Sequence, residues 1–110
     1  MIIATVNSTI KHYGSTQEGP VDSTLNHTSV FVKINNEEVI TSQDTIDTPS
    51  HIYDYDEGTP LYHEHPNQPI DYLQNTYVKI NNHNIVVVGD KNIANDTRIE
   101  STSQNFVKIN

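Results

Sequence analysis

Val32-Lys33-Ile34-Asn35 returns unchanged as Val78-Lys79-Ile80-Asn81 and again as Val107-Lys108-Ile109-Asn110. Each copy follows polar residues and an aromatic: Phe31, Tyr77 and Phe106. Three identical tetrapeptides in 110 residues mark an internal repeat rather than an accident of composition. The copies are 46 and then 29 residues apart, which excludes a solenoid of fixed period. The pattern fits three similar units separated by loops of different length.

The first copy runs on through Asn36-Glu37-Glu38 into Val39-Ile40-Thr41, and the second through Asn82-His83-Asn84 into Ile85-Val86-Val87-Val88-Gly89-Asp90. Both predict a β-hairpin, because Asn tolerates the positive φ of a tight turn. Phe31 and Lys33 alternate with Val32 and Ile34, the period of a strand with one covered face. The third copy has no return strand after it, but the other end of the chain supplies one. Ile3–Ile10 lines up with Val39–Ile46 and with Val86–Ile93. The expectation is an all-β, small conical domain, 1–110, of three hairpin-like repeats around a pseudo-threefold axis. Its N-terminal strand pairs with the C-terminal strand, and closure protects edges that an open sheet would expose. No window has the pattern of an amphipathic helix.

Long loops join the units, roughly 11–28, 47–74 and 94–103. The middle one, Asp47–Gln74, is rich in Pro, Tyr and His. It is expected to be an insertion without regular structure, and loops of that length are functional or disordered.

Composition narrows the function. Apolar residues are 34%, below the roughly 45–50% of an ordinary domain, so the core is thin and needs a metal or a partner to complete it. A formal charge of −8 excludes a nucleic-acid partner, which needs a basic footprint, and disfavours anionic membrane surfaces. No apolar run approaches the ~20 residues of a membrane-spanning helix, and Met1–Val6 lacks the basic start of a signal peptide. The absence of cysteine excludes disulfides and thiolate metal sites. Asn7-Ser8-Thr9, Asn26-His27-Thr28 and Asn95-Asp96-Thr97 match the glycosylation pattern by chance in a chain this rich in Asn and Thr.

Metal chemistry must therefore come from histidine. His63-Glu64-His65, on a strand, puts two imidazoles on one side within reach of one ion. Asp54, Asp56, Glu57 and Glu64 lie near as acceptors for the ligating rings. His12 follows Ile10 after the first return strand and His51 follows Ile46 after the second, so threefold-related loops bring these two together. The third unit offers only Ala94-Asn95-Asp96 there, leaving Asp96, His63 or His65 to complete the site. His27 and His83 read as surface residues, and Glu37-Glu38 as a solvated turn. Nothing points to an enzyme: there is no Gly-rich phosphate loop, nucleophile elbow or cysteine nucleophile. Asp54–Gly58 lacks the alternating oxygen ligands of a calcium loop.

Ser29–Asn36, Asn84–Asp90 with its closing Gly89-Asp90, and Asn105–Asn110 resemble the forward, return and final strands of PAAR-repeat proteins. The likeness extends over most of the chain outside 52–72. The Pro-Ala-Ala-Arg itself is absent, and Asp47 and Asn95 lie near where the family's common cysteine ligand is expected. The resemblance implies metal ligands at His12 and His51, and one zinc or iron ion per chain. It also implies a cap, one per trimer, on the trimeric β-helical spike of a contractile injection machine that pierces the target membrane mechanically. With no effector extension, a phage tail tip in the virion is expected over a type VI secretion spike. His63-Glu64-His65 is also similar to the His-x-His of trimeric iron-binding phage spikes, which require three chains. The other reading is a free-standing β-domain that binds glycan or calcium through 47–74, with its tyrosines as stacking surfaces.

Overall fold

The structure, a computed structural model describing residues 1–110, contains strands and turns and no helix. In chain order the strands are β1 (Thr9–His12), β2 (Val21–Asn26), β3 (Lys33–Ile34), β4 (Glu37–Glu38) and β5 (Thr45–Asp56). They continue with β6 (Thr59–Pro69), β7 (Lys79–Ile80), β8 (His83–Asn84), β9 (Lys91–Asn92) and β10 (Thr97–Ser101).

Strands β3–β4 and β7–β8 are two of the three repeat hairpins. Their two-residue turns, Asn35-Asn36 (φ 51 and 65) and Asn81-Asn82 (φ 51 and 67), hold the left-handed conformation that asparagine tolerates. The third unit is built from the two chain ends. Met1 and Ile109 exchange main-chain hydrogen bonds of 2.9 and 2.8 Å, Ile2 bridges Lys108, and Ile3 N donates to Val107 O. The return strands then close into a ring: Ala4 N donates to Val86 O (3.0 Å), Val86 N to Ile40 O (2.9 Å) and Ile40 N to Ala4 O (3.0 Å). A second cycle follows through Val6 N to Glu38 O, Ser42 N to Asn84 O and Val88 N to Ile2 O. These cycles are the pseudo-threefold axis.

They also correct the alignment of the third unit by one residue. The bridges Ile3–Val87, Thr5–Val39 and Thr41–Ile85 make Ile85, not Val86, the equivalent of Ile3 and Val39 in the third unit. Asn92, not Ile93, therefore takes the inward place of Ile10 and Ile46. Asn92 is buried and Ile93 is 58% exposed. A polar residue is tolerated inside because its amide donates to Pro69 O (2.9 Å) and its carbonyl accepts from Asn95 N (2.9 Å).

The connecting segments fold into one six-stranded sheet of order β6-β5-β2-β1-β10-β9. The expectation of an irregular 47–74 insertion is wrong: it is mostly the long hairpin β5–β6, turning at Glu57-Gly58 (φ 50 and 82). Its prolines are compatible with strand because Pro60, Pro66 and Pro69 sit on β6, the edge of the sheet, where a missing N–H costs no ladder bond. Pro49 falls where the β5–β6 register shifts between Thr48 and His51.

Two apolar clusters stack along the axis. One at the repeat base contains Ile3, Val39, Ile80, Ile85, Val87 and Ile109; the next contains Ala4, Ile10, Ile40, Ile46, Ile70, Val86 and Ile99. Strand period then sets what lies above. Two residues after Ile10 and Ile46 stand His12 and Thr48, and two residues before Ile70 and Ile99 stand Gln68 and Thr97, all buried. The molecule measures 50 × 24 × 22 Å and narrows from three hairpins at the base to the β5–β6 hairpin, which beyond the His51–His63 pair is joined by the loop at Gln17 and Glu18 through Ile52 and Tyr53.

Candidate metal centre

His12 ends β1, His51 lies within β5, and His63 and His65 share one face of β6. Pairing of His51 with His63 and of Thr48 with His65 folds the hairpin so that its rings turn toward His12. One ring nitrogen from each of the four histidines lies within 4.8 Å of every other. The chain thus has a four-histidine group that could hold a metal ion. A tetrahedral zinc site with bonds of about 2.0–2.1 Å spaces its ligand nitrogens by about 3.3 Å.

Hydrogen bonding orients two of the rings. Thr97 Oγ1 donates to Gln68 Oε1 (2.7 Å), so it accepts from His12 Nδ1–H (3.0 Å). His51 Nδ1–H donates to Pro49 O (2.8 Å). In both residues Nε2 keeps its lone pair. His51 Nε2 lies 2.8 Å from His63 Nε2, and the His63 ring stacks on Tyr53 at 4.2 Å between centroids. Nε2 of His12 and Nε2 of His65 are buried without any partner. A buried polar atom left unpaired costs about 1–3 kcal/mol, and two such atoms aimed into one histidine cluster fit a cation.

Protonation agrees with that fit. Burial, then the neighbouring His65 and His51, lower the pKa of His12 from 6.5 to about 4. Burial, then His63 and His51, lower that of His65. Both rings are neutral at pH 7, the form that binds metal. In metal-free protein, the unfolded chain protonates His12 near 6.5 and the folded chain near 4. The unfolded state binds more protons across this window, so stability should be full above 6.5 and fall as pH drops toward 4. Urea midpoints of chelator-treated protein should decline over that range. An equal decline in His12→Asn would contradict this assignment.

The acceptors differ from those expected. Asp54 accepts from Tyr55 N, and the imidazoles are held instead by Thr97 and the Pro49 carbonyl. Gln68 ties this layer together, donating to Thr48 Oγ1 (2.8 Å) and His65 O (3.1 Å). Thr48, Gln68 and Thr97 were missed in the sequence, although each stands two residues from an inward Ile. Asp96 is not a ligand: both its oxygens grip Arg98, at 2.7 and 2.9 Å. Asp47 and Asn95 are also outside the cluster, engaged with Asn67 N and Asn92.

Two expectations away from the cluster need correction. His27 is no idle surface residue: Nδ1 lies 2.8 Å from Asp44 and Nε2 3.0 Å from Glu38. Burial pulls its pKa down, but the hydrogen bonds and charges of Asp44 and Glu38 outweigh this and the net shift is upward. Glu37-Glu38 is not a free tip either. Glu38 also accepts from Ser29 and Val30 N, and the His27 bond leads the contacts that push its pKa down to about 2.

Gly14, two residues beyond His12, allows the loop after β1 to pass against the third unit. A Cβ there would lie 2.5 Å from the Asn95 carbonyl oxygen, a backbone atom that cannot swing away. Gly14→Ala should cost about 1–3 kcal/mol, as overpacking does. It should also weaken metal binding by displacing His12; an unchanged melting temperature and metal content would refute this.

Compared with protein-family models, curated proteins and solved structures, the chain matches none significantly.

Proposed function

We propose that this protein is a PAAR-like spike tip. It caps the trimeric β-helical spike of a contractile injection machine, a phage tail or a type VI secretion system, one tip per three spike chains. The observation that carries this reading is the open edge of the base. In a two-residue hairpin, alternate residues turn their amides toward the partner strand. Val39 N bonds Val32 O, Ile85 N bonds Val78 O and Ile3 N bonds Val107 O, so the intervening Lys33, Lys79 and Lys108 direct theirs outward. Three equivalent strand edges around a threefold axis suit addition to the last rung of a three-chain β-helix. The partner would also supply burial that a thin core lacks.

The role is mechanical. A narrow tip concentrates the force of sheath contraction on a small area of target membrane, and no chemical step is required. One ion per chain at His12, His51, His63 and His65 would tie β1 to the β5–β6 hairpin and stiffen the cone. Zinc fits a closed four-ligand structural site best; iron also accepts imidazole.

The test is co-expression with the trimeric spike encoded in the same genome, followed by native mass measurement. One tip per three spike chains is the expected result. A free monomer alongside an intact spike, with glycan binding by the isolated protein, would sink the reading.

A further inference from the structure

The chain has only six cationic side chains, and their surroundings differ. Lys11 pairs with Asp22, Arg98 with Asp96, and Lys91 lies over the Tyr72 ring at 5.4 Å. Lys33, Lys79 and Lys108 have no ion pair. Their cross-strand neighbours explain this. Lys79 faces Asn84 and Lys108 faces Ile2, neither acidic, while Glu38 opposite Lys33 is taken by His27, Ser29 and Val30. These lysines occupy the same position of the three units, each two residues after an exposed aromatic. Phe31 is 81% exposed, Tyr77 61% and Phe106 61%. An acidic chain thus gathers half its cations, unpaired, with three bare aromatic rings around its open strand edges.

We infer that the base selects its partner by charge, fitting a threefold-symmetric protein end whose terminal strands carry acidic side chains on their outer face. The inference rests on the capping reading and specifies the chemistry of the partner. Strand addition at each open edge places the partner's outward side chains directly beside the lysine and aromatic, where opposite charges and aromatic or β-branched neighbours are favourable and like charges are not. A second copy docked base to base would oppose three lysines with three lysines. Base-to-tip stacking would offer acids, Asp54, Asp56 and Glu57, but only one hairpin for three edges.

The experiment titrates the full chain with the trimeric spike of the same genome at low and physiological salt. Lys33→Glu/Lys79→Glu/Lys108→Glu should weaken binding about a hundredfold, and wild-type affinity should fall with salt. The corresponding triple arginine variant should keep both affinity and salt dependence. Because the side chains are exposed, metal content and thermal melting should be unchanged in all variants. If the glutamate variant binds as tightly as wild type, the lysines serve only to keep bare edges from aggregating. That outcome overturns the inference and leaves capping intact. If wild type itself fails to bind, both fall together.

Discussion

His12→Ala should weaken metal binding and lower the thermal midpoint measured with metal present by roughly 15–30 °C. A ligand present at about a thousandfold over its dissociation constant stabilises the folded state by about 4 kcal/mol. In a domain of this size each kcal/mol moves the midpoint by about 4–8 °C. His12 carries the largest share because it is the only ligand from outside the β5–β6 hairpin; without it an ion binds within one hairpin and no longer joins it to β1. Removing a ring from Thr97 adds a polar loss. His63→Ala should be milder, since His63 is only half-buried and His51 and His65 still share the ion with His12 across the two elements. The readouts are metal content by mass spectrometry and calorimetry with and without chelator. Equal midpoints for loaded wild type and loaded His12→Ala would show that no ion bridges the two elements. Metal at about one-third of an ion per chain, lost only on changing His63 or His65, would point to a site shared by three chains.

Deletion of residues 1–6 should remove cooperative folding altogether. This segment supplies the third return strand: it buries Ile3, Ala4 and Thr5, completes the Ala4–Ile40–Val86 cycle and pairs with Val107–Ile109. Each net hydrogen bond contributes about 0.5–1.5 kcal/mol and a buried Ile about 1.5–3 kcal/mol. Several of each are lost together, against a total stability of about 5–15 kcal/mol for a typical domain. Two hairpins alone would leave the Ile40 N–H and the Val86 carbonyl, both partners of Ala4, facing an open cavity. A truncated chain that melts as a single transition at the original temperature would rule out the closed threefold arrangement.

His27 and His12 titrate in opposite senses for reasons visible in their neighbours. His27 sits between two carboxylates, so its raised pKa adds stability below about 6.5 that is lost as pH rises through its folded value. His12 sits among imidazoles with no carboxylate, so its stability is lost on the acid side. The base of the cone is thus fastened against acid where the histidine layer is not.

The repeated Val-Lys-Ile-Asn, the Asn-Asn turns and strict alternation determined the three hairpins and their inward faces without any tertiary information. These are short-range properties of backbone and side-chain period. The pairing of the chain ends was legible for the same reason, since a lone forward strand requires a return strand from somewhere. His63-Glu64-His65 was legible as two rings on one face. Its partners were only half legible: His12 and His51 followed from the repeat, but Thr97, Gln68 and Thr48 were hidden because Thr and Gln carry no signal until burial makes their hydrogen bonds matter. The 47–74 segment misled for the opposite reason. Its prolines and polar residues disfavour strand locally, and only its place at the sheet edge removes the cost. Asn92 for Ile93 was beyond sequence as well, because a one-residue register choice in a Val-rich run is decided by which backbone amides close the ring. Local chemistry determined the units; tertiary structure decided which buried polar groups face one another, and hence where an ion can sit.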